Sequence, residues 1–166
     1  MKLNPFNLIL GMLRGLSPKN KTQERTDFLK KIMNFVHECK FTSGGDYLEF
    51  GVFKGSNFAE AYRIAKVKKL TGMRFFAFDS FEGLPEGSEK ESGQFAKGEY
   101  SASLEHFNAN LQRSGVDLKG VQAVKGWFKD TLTAETKKKL GLKAAAVVWI
   151  DSDLYESAVP VLDFIT

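Results

Sequence analysis

The chain has 166 residues, 43% of them hydrophobic and 27% charged, with a net charge of +4 and a pI near 9.1. That length allows one domain with a buried core, and the composition excludes a disordered tail or a fibre. The positive excess is small and carries no interleaved aromatics, which argues against a nucleic-acid footprint; Lys137, Lys138 and Lys139 read as a solvated helix face. The single cysteine, Cys39, excludes an internal disulfide and favours a reducing compartment, so the cytoplasm is the expected location. No apolar run nears the about 20 residues that a membrane span needs.

Residues 1–21 read as an irregular or weakly helical lead-in ended by Ser17, Pro18, Lys19 and Asn20. The apolar stretch around Phe6, Leu8, Ile9, Leu10, Met12 and Leu13 is too short for a signal peptide and suits an interfacial or packing helix. Phe28, Ile32, Phe35, Val36 and Cys39 then recur at intervals of three and four, which predicts a helix to Lys40 with Cys39 on its core face. Thr22 and Thr26 are the candidate caps of that helix. The boundary of an N-terminal helical segment is expected at 42, with one further domain over 43–166.

Ser43, Gly44 and Gly45 form a turn before a first strand carrying Tyr47, Leu48, Phe50 and Val52. A helix from Ser56 to Lys69 follows, then a second strand from Arg74 to Phe78. Residues 80–100 are polar and glycine-rich, and loops of that length inside a domain are commonly functional. Ser101 or Ser103 opens a helix with Leu104, Phe107 and Leu111 on its buried face. Val121–Val124 is the third strand, Leu132–Leu140 a helix, Ala144–Ile150 the fourth strand, and a last helix begins near Tyr155. Strand and helix alternate from Tyr47 onward, which predicts an α/β fold with a mainly parallel sheet between helical layers.

In such sheets ligands bind beyond the carboxyl ends of the strands. The first strand ends in Glu49-Phe50-Gly51-Val52-Phe53-Lys54-Gly55-Ser56, where glycines let backbone approach a ligand and a helix start offers N–H groups to an anion. The second ends at Asp79, a carboxylate suited to ribose hydroxyls or to anchoring a loop. The third ends in Gly126-Trp127-Phe128, flat side chains that suit an adenine ring or the core. The fourth ends in Asp151-Ser152-Asp153. Two carboxylates after an apolar strand need solvent, a partner or a cation, and magnesium prefers such oxygen ligands; helix capping by Asp153 is the plainer alternative. His37 and His106 have no ligand-spaced partners.

Four of these segments resemble those of a known family, in order over residues 46–158. They are Tyr47–Ser56, Asp79-Ser80-Phe81-Glu82-Gly83-Leu84-Pro85, Gly126–Leu132, and Ile150-Asp151-Ser152-Asp153-Leu154-Tyr155-Glu156-Ser157. The family is that of the macrocin O-methyltransferases. The resemblance implies a Rossmann-like class I methyltransferase fold, a three-layer sandwich, and an enzyme that moves a methyl group from S-adenosylmethionine to a hydroxyl of a sugar or other small natural product. It implies that Glu49, Gly51 and Ser56 surround the methionine half of the cofactor, Asp79 and Ser80 hold the ribose, and Gly126, Trp127 and Phe128 flank the adenine. It implies Asp151 as a magnesium ligand, Asp153 as the general base, and the 81–100 loop as a cover over the cofactor.

The family's pattern continues past the helix at Tyr155 into strands that complete its metal site, so the sheet is expected to be incomplete on the C-terminal side and the fourth strand to be an exposed edge. Two other readings stand beside the enzyme. One is a nucleoside-binding module without turnover, assembling into a homo-oligomer through that edge. The other is a nicotinamide-binding domain, disfavoured because the first turn lacks the three-glycine fingerprint.

Overall fold

The computed structural model describes residues 18–39, 45–85 and 98–166. The expected lead-in helix before Pro18, the Ser43-Gly44 turn and most of the loop after Pro85 lie outside the described residues.

Helix α1 spans Pro18–Glu38. Proline suits a first turn, where its missing N–H has no helical partner to lose. The helix therefore opens at a residue expected to end the lead-in, ahead of the Thr22 and Thr26 caps. Its buried stripe is Leu29, Ile32, Met33 and Val36. Cys39 is exposed and Phe35 is 44% exposed, contrary to their expected place in the core. The inward arc is centred nearer Leu29 and Met33, which rotates both of them outward.

Strand β1 (Asp46–Phe50) leads to α2 (Ser56–Val67), β2 (Phe75–Asp79), α3 (Leu104–Arg113) and β3 (Val121–Lys125). The short α4 (Phe128–Thr131) and α5 (Ala134–Leu140) follow, then β4 (Ala145–Ile150) and α6 (Tyr155–Ile165). Helix α3 is capped by Ser103, whose side chain accepts the His106 N–H, one of the two caps expected.

The strands form a parallel sheet in the order β3-β2-β1-β4. The chain runs outward from β1 through β2 to β3, then crosses to the other side of β1. That reversal leaves a switch point between β1 and β4.

Alternation along each strand separates two cores. Tyr47, Phe75, Ala77, Val147 and Trp149 face α1, α2 and α3, together with Phe58, Phe107 and Leu111. Leu48, Phe50, Phe76, Phe78 and Val148 face the other way, against Val161, Phe164 and Ile165 of α6. This is the expected three-layer sandwich. Phe50 stacks on Phe78 with centroids 4.6 Å apart, and Phe164 meets both rings edge-on. Each fully buried phenylalanine contributes on the order of 2 kcal/mol, which is where much of the aromatic content is spent. Among the described residues no helix is long and apolar enough to cross a membrane.

At the opposite end from the switch point, Asp46 is 2% exposed and held by Arg74 through two bonds of 2.7 Å. The same guanidinium donates to the carbonyls of Leu140 and Gly141 at 3.2 and 2.9 Å. One side chain thus ties the starts of β1 and β2 to the turn before β4.

Candidate functional site

The carboxyl ends of the strands bring the expected residues to one edge of the sheet. The ladder continues one rung past β1: the Gly51 N–H donates to the Phe78 carbonyl at 2.9 Å, and the Asp151 N–H donates to the Phe50 carbonyl at 2.9 Å. Gly51 has φ +83°, and a Cβ there would lie 2.5 Å from the Asp151 carbonyl oxygen. Only glycine lets the chain turn so close to β4.

Asp79 organises this turn. Its Oδ2 accepts the N–H groups of Val52 and Phe53 at 2.8 and 3.1 Å, and its Oδ1 accepts the Phe81 N–H at 2.8 Å. Phe53 and Phe81 hold φ values of 47° and 55°, left-handed conformations that are costly for aromatic residues and are braced here by those bonds. The Gly126 N–H donates to the Asp79 carbonyl at 2.9 Å, which joins the end of β3 to the same hub. Ser80 shapes the next turn: its hydroxyl donates to the Gly83 carbonyl at 3.0 Å and accepts the Glu82 N–H at 3.1 Å.

The loop beyond is pinched at its neck. Leu84 N–H donates to the Glu99 carbonyl and Gly98 N–H to the Leu84 carbonyl, both at 3.0 Å. Across the neck, Tyr100 meets the ring of Phe53 edge-on at 5.8 Å.

Helix α2 starts without a side-chain cap. Its N-cap is Gly55, at φ 81°, and a Cβ there would lie 2.8 Å from the ring of Phe107. Tight packing under the turn thus requires glycine. The first-turn N–H groups are left without a side-chain acceptor, which suits an anion. Ser56, the first helical residue, is exposed beside them.

Glu49 lies beneath this surface, 1% exposed, on the face of β1 turned toward α2. Its Oε2 accepts a bond from the Tyr47 hydroxyl and another from Asn57 Nδ2 at 3.1 Å. Burial pushes its carboxyl up to about 8, against the pull of those two donors toward the charged form. Burial, with Glu49 beside it, also raises the Tyr47 phenol well above its ordinary value.

Trp127 and Phe128 separate. Trp127 is half-buried and starts α4, its carbonyl accepting the Thr131 hydroxyl at 2.9 Å. Phe128 packs edge-on to Phe50 at 6.0 Å within the second core.

At the end of β4, Asp153 is exposed and stands just before Leu154, the N-cap residue of α6, whose own side chain makes no cap bond. Asp151 is gripped by Arg25 of α1, with Nη1 to Oδ2 at 2.7 Å and Nη2 to Oδ1 at 2.9 Å. The neighbouring Ser152 hydroxyl is buried with no hydrogen-bond partner among the described residues.

Both Asp151 oxygens face the positive charge of Arg25, which opposes a magnesium ion at that carboxylate while the pair is made. Among the described residues no three His, Cys, Asp or Glu side chains cluster in a way that could hold a metal.

Two participants in the site escaped the sequence reading: Arg25 and Asn57. Arg25 had a signal, because it stands four residues before Leu29 and seven before Ile32, in register with the buried stripe. A cation on the apolar face of a helix needs a buried partner. Asn57 meets Tyr47 and Glu49 only through the docking of α2 on the sheet.

A parallel sheet with this switch point, a glycine turn after β1 and an acidic residue closing β2 define a class I S-adenosylmethionine-dependent methyltransferase fold. Solved structures agree on the fold. The chain is similar to the O-methyltransferase NovP, at TM-score 0.69 and 22% identity over 85% of this chain and 58% of that one. It is also similar to the calicheamicin methyltransferase CalS11, at TM-score 0.63 and 20% identity over 91% and 74% of the two chains.

Within that class the chain belongs to the macrocin O-methyltransferase (TylF) family, whose profile matches residues 21–165. It is 32% identical over 126 residues to the 8-demethyl-8-(2,3-dimethoxy-alpha-L-rhamnosyl)-tetracenomycin-C 4'-O-methyltransferase of Streptomyces olivaceus, covering 72% of this chain and 46% of that protein. It is 29% identical over 147 residues to the mycinamicin III 3''-O-methyltransferase of Micromonospora griseorubida, covering 81% and 56%. The chain thus spans about half the length of these relatives.

Proposed function

We propose that the chain binds S-adenosylmethionine across the ends of β1, β2 and β3 and serves methyl transfer to a hydroxyl of a sugar or other small natural product. The observation that carries this reading is the Asp79 hub, which joins the turn after β1, the loop after β2 and the end of β3 around one carboxylate. In this reading the cofactor carboxylate meets the uncapped start of α2 near Gly51 and Ser56. Glu49 lies below its amino group, the ribose lies at Asp79 and Ser80, and the adenine lies by Gly126 and Trp127. Phe128 supports that side from the core.

With S-adenosylmethionine bound, the site would line the acceptor hydroxyl up with the transferable methyl group. The methyl would pass from sulfur, which keeps the C–S electron pair, to the acceptor oxygen, and Asp153 would take the acceptor proton. Holding the two reactants in that line supplies much of the rate, and the base supplies the rest. The names of the curated relatives support a glycosylated natural product as the acceptor class. A magnesium-dependent version of the reaction would require Arg25 to leave Asp151 first.

The test is transfer of a labelled methyl group from S-adenosylmethionine to a panel of rhamnosylated and other deoxysugar-bearing natural products. Label in the acceptor, abolished by Asp153→Asn, supports the enzyme. One other reading is a cofactor-binding module without turnover. That reading is supported instead by cofactor binding with no label transferred by the wild-type chain.

A further inference from the structure

Asp151 closes β4 at the switch point, beside Gly51, and among the described residues it is the carboxylate at a carboxyl strand end that an arginine holds. Arg25 reaches it from α1, 126 positions away in sequence, through a two-pronged grip. The two side chains are 37% and 31% exposed, so the pair is partly shielded from water. Paired guanidinium and carboxylate planes give a directional contact that a point charge cannot copy.

We propose that Arg25 is the built-in counter-cation of Asp151, so that divalent metal and the arginine compete for one carboxylate and the chain excludes the metal while α1 is docked. This deepens the reading of the site above, yet it depends on neither cofactor nor acceptor. The position of Arg25 supports a dedicated role. It extends the buried stripe of α1 by one turn, with Leu29, Ile32 and Met33 fixing the helix against the same core that holds β1 and β4. The helix is thereby seated so that its guanidinium meets Asp151 with no further adjustment. A metal ion bound to an Asp151 oxygen would displace the arginine or face its charge at close range.

The experiment is a titration of Mn2+ alone, followed by its paramagnetic resonance signal, into the full chain without cofactor. The expected result is no saturable binding by wild type in the low-millimolar range. Arg25→Gln should bind roughly tenfold tighter or better, a gain of about 1.4 kcal/mol, and Arg25→Gln with Asp151→Asn should lose that gain. Arg25 is over a third exposed and outside the apolar core, so the single variant is expected to fold; circular dichroism checks this. Should it not fold, Arg25→Lys, which keeps the charge but loses the two-pronged grip, takes its place with a smaller gain of several-fold. Saturable binding to wild type that Asp151→Asn removes would overturn the proposal. So would a folded Arg25 variant that binds Mn2+ no better than wild type. Failure of the methyl-transfer reading would leave both results unchanged, because S-adenosylmethionine is absent from the titration.

Discussion

Asp79, at the end of β2, takes the backbone N–H of Val52 onto its Oδ2 at 2.8 Å, and so fixes the turn that leaves β1. A carboxylate has about four lone-pair sites, and backbone donors fill three of these. Asp79 therefore shapes the glycine turn and keeps about one lone-pair site for the proposed ribose. Asp79→Asn replaces one accepting oxygen by a donor, which sets an amide against a backbone N–H. The variant is expected to lose about 1–3 kcal/mol of stability and to bind S-adenosylmethionine at least tenfold more weakly. Denaturant melts and calorimetry measure the two separately. Weakened binding with unchanged stability would assign Asp79 to the ribose alone.

The buried Glu49 gives a pH signature. Its ordinary value is 4.5 and its folded value is about 8, so between those values only the unfolded chain ionises. The stabilisation it contributes is full below pH 4.5 and is lost as pH rises toward 8, by up to roughly 1.4 kcal/mol per pH unit. Glu49→Gln keeps the shape and removes the proton equilibrium. Its stability relative to wild type is expected to rise from pH 5 to pH 8, read from denaturant melts across that range. A constant difference would mean that Glu49 is ionised in the fold.

The same group reports on cofactor binding. An ammonium brought near Glu49 favours its charged form, so binding near pH 7 should release up to one proton. Calorimetric enthalpies measured in buffers of different ionisation enthalpy should show that release, and Glu49→Gln should abolish it. Equal enthalpies in every buffer would place the amino group away from Glu49.

Arg74 is expected to matter for stability and not for the site. Asp46 is almost fully buried, and removing its partner leaves an uncompensated carboxylate. Arg74→Met should cost roughly 3–5 kcal/mol, with Arg74→Lys recovering part of it. Thermal melts at neutral pH check this, and a loss below 1 kcal/mol would show that Asp46 is neutral or solvated.

The periodic parts of the chain were legible in the sequence. Alternating apolar runs gave four strands within a residue or two, and glycines at 51 and 55 marked turns that do carry positive φ. The position of Asp79 at a strand end was legible for the same reason. What stayed hidden depends on contacts between distant segments. Cys39 satisfied a spacing rule yet lies outside, because the rule fixes a stripe and not its centre. Trp127 and Phe128 looked equivalent, but the short helix α4 turns Phe128 onto Phe50. The grip of Arg25 on Asp151 was hidden because the two residues stand 126 positions apart.

The most direct measurement is a calorimetric titration of S-adenosylmethionine into the folded chain, with Gly51→Ala as the control. Gly51 has a left-handed φ, and a Cβ there would lie 2.5 Å from the Asp151 carbonyl oxygen, so alanine must deform the turn on which the cofactor is proposed to rest. The account expects saturable binding of one cofactor per wild-type chain, unchanged by magnesium, and binding at least tenfold weaker in the variant. A wild-type chain that is folded by circular dichroism and takes up no S-adenosylmethionine would contradict it.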